Sequence, residues 1–492
     1  MFDVMVEETN RYAHQWQNDP NVAPKSRIHR WQDTDRNEMN AFIAMRISMG
    51  LCPKNQSDDY FKKQHWLTDT PKYRNVITGH RFQALSSCLH FVNNNDQVRN
   101  DHPNYNALFK VQPVLDRVVA SWEAAVKTAK HLSLDESMTP FRGRVHFRQY
   151  IKSKHHRYGV KAFAVCDSKT AYCLKYDIYT GGAYQYDRVL GQGCSVVLKL
   201  AESMPEGSIF YTDSFYTSPT LAQTLFEKKM GLVGTVQRNR QGMPDALKND
   251  PTREPKFVFK DPILGVSFKD RKDVRMLSTV HGTGLFERET RANARERRRN
   301  VGDQDGMIHS ELPLTVNSYN KYMGGVDRLD QLVSYNVYPH RSRKWYIKLF
   351  NYILDIALVN ARILFQLHTN KKITASAFRR NVIDGLLEPY LRDQNADVHA
   401  PEDQNPGVPE RLVGRHWPEH HFGNRRPRCV VCSVGKQTRH QSVHYCKTCP
   451  DQPTLCITPC FERYHSMEDP GYDRPLPAAP PANVRHAAAA EP

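Results

Sequence analysis

The sequence predicts an α/β protein: a strand-and-helix core broken by an insertion, framed by helices on both sides and followed by a small cysteine-rich domain. Three observations predict it. β-prone and helical runs alternate between His131 and Gln237. Apolar residues recur at helical spacing before and after that region. Six of the 11 cysteines crowd between Cys429 and Cys460. At 492 residues the chain exceeds what one core usually organises, so two to four domains are expected.

Residues 1–131 read as helical, with apolar positions at helical spacing in NEMNAFIAMRISMGL, HRFQALSSCLHFV and LFKVQPVLDRVVASWEAAVKTAK. From His131 short strands take over. HLSLD, YGVKAFAVCD and AYCLKYDIY are β-branched or aromatic-rich, the last two joined by the turn Ser168-Lys169-Thr170. VLGQGCSVVLKLAES follows as a helix, then SIFYTD as a strand, SPTLAQTLFEKKM as a helix with Pro219 in its first turn, and GLVGTVQ as a strand. Three strands, a helix, a strand, a helix and a strand is the order of an RNase H-like fold. In that layout the first strand and the strand after the first helix are neighbours. The core therefore spans 132–240 and resumes at 313–336, and 241–312 is an insertion carrying β-prone FVFK and VRMLSTVH. Helices over 337–392 close the main body. A polar, Pro-bearing linker (393–427), a Cys/His segment (428–467) and an unfolded tail (468–492) complete the chain.

Charge narrows the function. Lys plus Arg outnumber Asp plus Glu by 69 to 52, a formal +17 and a pI near 9.3, which suits a phosphate-rich partner. The clustered cysteines suit metal-bound thiolates in a reducing compartment better than a disulfide scaffold. MFDVMVEETN has neither the basic nor the apolar region of a signal peptide. The most apolar long segment, Trp345 to Leu367, is interrupted by Lys348, Asp355 and Arg362, so it reads as a core-facing helix and not a membrane span. A soluble intracellular protein is expected.

Three aspartates carry the candidate chemistry. Asp135 (HLSLDESM) and Asp213 (SIFYTDSFYTS) end β-prone runs, and Asp327 (KYMGGVDRLDQ) follows a Gly-Gly turn that opens a helix. Carboxylates brought to one point from two strand ends and a helix suit a pair of hard divalent cations, with Asp135 bridging and Asp213 and Asp327 each holding one. Asp330 lies on the same helical face as Asp327 and would support the ions or a nearby water. Singly, an aspartate after a strand most often caps a helix or begins a turn. The case rests on the three together, in fold order.

The Cys/His segment reads Cys429-x2-Cys432-x13-Cys446-x2-Cys449-x6-Cys456-x3-Cys460-x4-His465. Paired C-x2-C turns at this separation signal structural zinc, because closed thiolate coordination leaves no position open for water. Seven ligands are one short of two sites, and His444 or His440 completes the set. Sequential and interleaved pairings both remain open. The basic run containing Arg291, Arg295, Arg297, Arg298 and Arg299 reads as a phosphate-gripping loop or a nuclear-import signal, against a solvated helix face. Arg425–Arg428 is a second import candidate. The pairs His155-His156 and His420-His421 read as loop histidines.

From about residue 1 to 392 the chain resembles piggyBac-type DNA transposases. The resemblance is carried by ETNRYA, DESMTPFRGR, KHHRYGVKAFAVCDS, YDIYTGG, YTDSFYTSPTLAQTL, GTVQRNRQGMP and SYNKYMGGVDRLDQ. It implies catalytic aspartates at Asp135, Asp213 and Asp327, with Asp330 as a further acid nearby. It implies an RNase H-like core split by an insertion, and flanking helices that form a dimerisation and DNA-binding domain. Also implied are Mg²⁺-dependent cutting and joining of double-stranded DNA at TTAA sites through hairpin ends, a homodimer that holds two transposon ends, and a nuclear location. Similar transposases use a C-terminal zinc domain to bind terminal-repeat DNA. Three departures stand out. Ser214 replaces the usual Asn after the second aspartate, which puts the aim of Asp213 in question. Gln237 and Gln241 replace two basic residues after GTV, leaving Arg238 and Arg240 as the DNA contacts there. Met1 falls almost within the first helix, so an N-terminal arm is expected to be missing. Two other readings stand beside transposition: a domesticated DNA-binding protein that no longer cuts, and a protein-interaction factor built on the zinc module.

Overall fold

HLSLDESMTP carries Leu132, Leu134 and Met138 on one face and small Ser133, Ser137 and Thr139 on the other, and both sets are buried, as at the centre of a covered sheet. In the computed structural model this strand, β1 (His131–Pro140), lies between β3 (Tyr158–Asp167), antiparallel to it, and β5 (Ile209–Thr212), parallel to it. The described residues are all except 63–68, 71, 153, 155, 250, 292–306, 339–341, 399–415, 422–425, 434–439 and 468–492. The chain divides into two compact units, Met1–Asn395 and Ala396–Pro492.

The first unit is built on a nine-stranded sheet. Besides β1, β3 and β5 it contains β2 (Arg148–Tyr150), β4 (Cys173–Ile178), β6 (Gly231–Thr235), β7 (Lys256–Lys260), β8 (Ile263–Lys269) and β9 (Asp273–Ser278). The order is β2-β3-β1-β5-β6-β9-β8-β7, with β4 also on β3. The order β4-β3-β1-β5-β6 is that of the RNase H-like layout. Helices Gly191–Ala201 and Pro219–Glu227 make the crossovers into β5 and β6. Ser218 caps the second of these by accepting from Leu221 N at 3.1 Å, with Pro219 in its first turn.

The segment expected to interrupt the core instead enlarges it. Val233–Thr235 of β6 pairs antiparallel with Met276–Ser278 of β9, so β7–β9 continue the sheet. Buried Leu264, Val266 and Met276 pack with Val233 and Tyr211 of the core strands, and that shared apolar face is why the segment does not fold apart. A hairpin of β10 (Leu285–Arg291) and β11 (Met307–Pro313) follows.

Helices Phe2–Gln17, Arg36–Leu51, Gly79–Cys88 and Gln112–Ala124 precede the sheet, and Trp345–Thr369 and Ala375–Val398 follow it. Asp35 caps the second by accepting from Glu38 N at 2.7 Å. Trp345–Thr369 is buried along Leu349, Phe350, Ile353 and Ile356, and Asn360 exchanges two 2.8 Å hydrogen bonds with the backbone of Cys173 in β4. The long helix is thereby fixed to the sheet edge. Among the described residues no helix is long and apolar enough to cross a membrane.

Helices Leu314–Tyr322 and Gly325–Ser334 are separated by Met323 and Gly324. The second lies directly on β1. A Cβ on Gly325 would run into Ser133 Oγ, with Ser133 Cβ only 3.2 Å and Asp167 O 3.3 Å away. Arg328 clamps the same helix to the β3–β4 turn through Lys169 O at 3.2 Å and Ser168 O. Glycine thus sets how near Asp327 comes to β1. Gly325→Ala is expected to cost about 1–3 kcal/mol by overpacking, and Ser133→Ala in the same chain to recover part of it. Urea denaturation of the wild type, the single and the double variant measures this, and an unchanged midpoint for Gly325→Ala contradicts it.

Candidate functional site

Along β1 only Asp135 and Glu136 interrupt two buried triplets, Leu132–Leu134 and Ser137–Thr139. The pairing of β1 with β5 ends at Leu134–Thr212. Past that point the β1 edge is open, and the chain leaving β5 turns there with Asp213. Asp135, Glu136 and Asp213 each bring a carboxylate oxygen within 4.8 Å of the others. Strand alternation assigns Asp135 and Glu136 to opposite faces, which is why a reading from sequence passes over Glu136. The open edge lets both turn toward Asp213. The pair DE at the end of the apolar run was the available signal.

Each carboxylate is held. Glu136 N donates to Asp135 Oδ1 at 2.7 Å, and Lys161 Nζ donates to Glu136 Oε1 at 3.0 Å. Phe215 N donates to Asp213 Oδ1 at 2.9 Å, and Asp213 O accepts from Thr217 Oγ1 at 2.8 Å. The Phe215 N–H thus aims the Asp213 carboxylate, and Thr217 holds its main-chain carbonyl. Gly193 packs against this turn, since a Cβ there would lie 3.1 Å from Tyr216 Cα.

Asp327 stands apart from these three. Its side chain is 73% exposed and lies 3.8 Å from Lys154 Nζ. Tyr319 nonetheless senses all three aspartates: burial first, then the charges of Asp213, Asp135 and Asp327, push its hydroxyl up to about 12. Asp330 is placed differently from expectation. Its Oδ1 accepts from Ser137 Oγ at 2.7 Å and Tyr352 OH at 2.8 Å, so it ties its helix to β1 and the long helix and stands behind the cluster. Arg240 also has a local partner in the fold. It donates to Ser214 O and, at 3.0 Å, to Phe215 O, bracing the Asp213 turn from behind, whereas Arg238 is exposed. Arg291 ends β10, and Arg295, Arg297, Arg298 and Arg299 lie outside the described residues.

Gathered carboxylates resist ionising together. Burial, then the neighbouring Glu136, raises Asp135 well above the ordinary carboxyl value. Glu136 is also pushed up by burial, but its hydrogen bond to Asp135 and the Lys161 ammonium outweigh this and leave it lowered. Burial and the Glu136 charge raise Asp213. An all-oxygen donor set short of positive charge fits a hard divalent cation.

In the second unit, zinc-type donors form two groups. Cys429, Cys432, Cys456 and Cys460 make one, and His416, Cys446, Cys449 and His465 the other. The pairing is interleaved. Cys432 Sγ lies 3.3 Å from Cys460 Sγ and 3.9 Å from Cys456 Sγ. His416 Nδ1 is 3.6 Å from Cys446 Sγ and 3.3 Å from Cys449 Sγ, while His465 Nε2 is 3.4 Å from Cys449 Sγ. Tetrahedral zinc with roughly 2.3 Å Zn–S bonds spaces its ligands about 3.8 Å apart. His465 Nδ1 is 2.8 Å from Phe461 O, to which it donates in the tautomer that frees Nε2 for metal. The eighth donor is therefore His416, not His444 or His440. His444 lies in the hairpin of β12 (Pro418–His420) and β13 (His444–Cys446), opposite His420, with the two ring centres 4.1 Å apart. His416 was missed because it lies in the supposed linker, 13 residues before the first cysteine and without a spacing motif.

A β4-β3-β1-β5-β6 sheet with acids midway along β1 and at the end of β5, and a further acidic helix docked on β1, places the chain in the RNase H-like fold class. A family profile described as Transposase IS4 matches residues 1–362, and one described as DDE_Tnp_1-like zinc finger matches 413–466. The chain belongs to the piggyBac-type transposase family. It is 24% identical over 87% of its length to PiggyBac transposable element-derived protein 2 of Homo sapiens, covering 69% of that protein. It is 25% identical over 78% of its length to PiggyBac transposable element-derived protein 3 of Homo sapiens, covering 63% of it. The chain thus spans about two thirds of these relatives. Its fold matches a cryo-EM structure of a piggyBac transposase synaptic complex with hairpin DNA, with a TM-score of 0.66 at 23% identity, covering 95% of this chain and 93% of that one.

The raised Asp135 sets a pH dependence. A carboxyl raised in the folded state contributes stability that is present below its ordinary value and is lost as pH rises through the raised one. Asp135→Asn keeps the neutral form at every pH. In magnesium-free buffer the wild type is expected to lose about 1–3 kcal/mol relative to Asp135→Asn between about pH 5 and pH 9. Urea denaturation across that range tests this, and parallel curves for the two chains contradict it.

Proposed function

We propose that this chain is a metal-dependent DNA strand-transfer enzyme that cuts and rejoins double-stranded DNA at TTAA sites, acting in the nucleus as a homodimer that holds two DNA ends. The observation that carries this reading is the meeting of Asp135, Glu136 and Asp213 where β1 runs on past the end of β5, with Asp327 on the helix docked against β1. Asp135, Asp213 and Asp327 would hold two Mg²⁺ ions, which when bound supply Lewis-acid stabilisation of the attacking and leaving oxygens. The protein's own part is positioning. Phe215 N and Thr217 fix Asp213, Arg240 braces the turn, Lys161 holds Glu136, and Asp330 anchors the helix that presents Asp327. Arg238 and the basic run from Arg291 to Arg299 supply the phosphate contacts.

The separation of Asp327 from the other acids favours a second reading, a DNA-binding descendant that no longer cuts. An excision assay on transposon-end DNA with Mg²⁺ decides between them. On the first reading Asp213→Asn and Asp327→Asn each lower strand cleavage by roughly 10³-fold while DNA binding is kept. Equal, negligible products from all three chains, with binding intact, select the second.

The second unit would hold two structural Zn²⁺ ions, one on Cys429, Cys432, Cys456 and Cys460 and one on His416, Cys446, Cys449 and His465. Metal analysis of the purified chain is expected to give two zinc ions, one after His416→Ala and two after His444→Ala. The reverse result for the two histidines would overturn the assignment.

A further inference from the structure

The two halves of the carboxylate site are not equivalent, and a lysine makes the difference. Asp135, Glu136 and Asp213 already face one another. Asp327 faces Lys154, whose Nζ is 3.8 Å from Asp327 Oδ1 and donates to Glu136 O at 2.8 Å. The Lys154 side chain is 25% exposed, against 73% for Asp327, so the ammonium sits in the notch and the carboxylate reaches toward it. Its charge also acts on Asp135 and Asp330, lowering both carboxyls against the burial that raises them. Lys154 is carried by the β2–β3 loop, which Ile151 closes by donating to Arg157 O at 2.8 Å. Lys161 serves the other end of the site, paired with the Glu136 carboxylate at 3.0 Å.

We propose that Lys154 is a built-in counter-cation that keeps the Asp327 half of the site closed to a second divalent ion until a DNA phosphate draws the ammonium away. The inference rests on the metal reading of the acids given above. Two cations cannot share the space between Asp135 and Asp327, so ammonium and second ion compete for it. A flexible four-carbon stem with three donors at its tip lets Lys154 pass to a phosphate oxygen without rebuilding the loop. The first ion then loads on the preformed cluster, and the second loads with substrate. Lys154 is a positioning residue in this scheme, since it acts through ion occupancy.

The test is Mn²⁺ binding to the full zinc-loaded chain, followed by calorimetry and by the electron paramagnetic resonance of free Mn²⁺. Wild type is expected to bind one ion tightly and a second weakly. Lys154→Met should tighten the second ion by about tenfold or more and leave the first unchanged, while Lys154→Arg, which keeps the charge, should behave as wild type. Adding duplex DNA should tighten the second ion in wild type but not further in Lys154→Met. Unaltered zinc content and melting temperature exclude misfolding as the cause. An unchanged second-ion affinity in Lys154→Met, with the first ion lost in Asp213→Asn, would overturn the proposal and leave the metal site standing. Retention of the first ion in Asp213→Asn would overturn the metal site itself, and this proposal with it.

Discussion

Crowding of negative charge where β5 ends beside the middle of β1 is the constraint around which this molecule is arranged. Three carboxylates within 4.8 Å of one another cannot all ionise at neutral pH without compensation. The fold supplies some: Lys161 on Glu136, a backbone N–H on Asp213, and Lys154 between Glu136 and Asp327. What remains shows as an Asp135 carboxyl raised above its ordinary value by burial and by Glu136. A hard divalent ion is the kind of partner that would relieve such crowding.

Keeping those acids in place occupies much of the surrounding structure. Gly325 lets a helix lie on β1, Arg328 clamps that helix to a hairpin turn, and Asp330 anchors it to Ser137 and Tyr352. Gly193 and Arg240 do the same for the Asp213 turn. These contacts join segments far apart in the chain. Substitutions well removed from the acids can therefore disturb their geometry.

The core order was legible because β-branched alternation and apolar helical spacing are local signals, and β1, β3–β6 and their crossover helices follow them. The adjacency of Asp135 and Asp213 followed from that order. Strands β2 and β8 escaped notice. Arg148–Tyr150 is a three-residue edge strand, and β8 (ILGVSFK) is defined by pairing with its neighbours more than by its own pattern. The extended sheet could not be read from sequence, because the register of β6 against β9 is set by a shared apolar face between segments about 40 residues apart. Glu136 and Lys154 were missed for a related reason. Alternation along a strand hides a side chain that bends around an open edge, and a loop lysine has no periodicity to announce it. His416 lies in a polar stretch whose composition says linker, and only the folded finger brings it to Cys446 and Cys449.

The most direct measurement is anomalous diffraction from crystals of the chain soaked in Mn²⁺. A manganese peak shared by the carboxylates of Asp135 and Asp213, at about 2.0–2.6 Å from each as hard-cation ligation requires, is the result the account predicts. Well-ordered carboxylates with no manganese between them, or manganese bound at Asp330 instead, would contradict it.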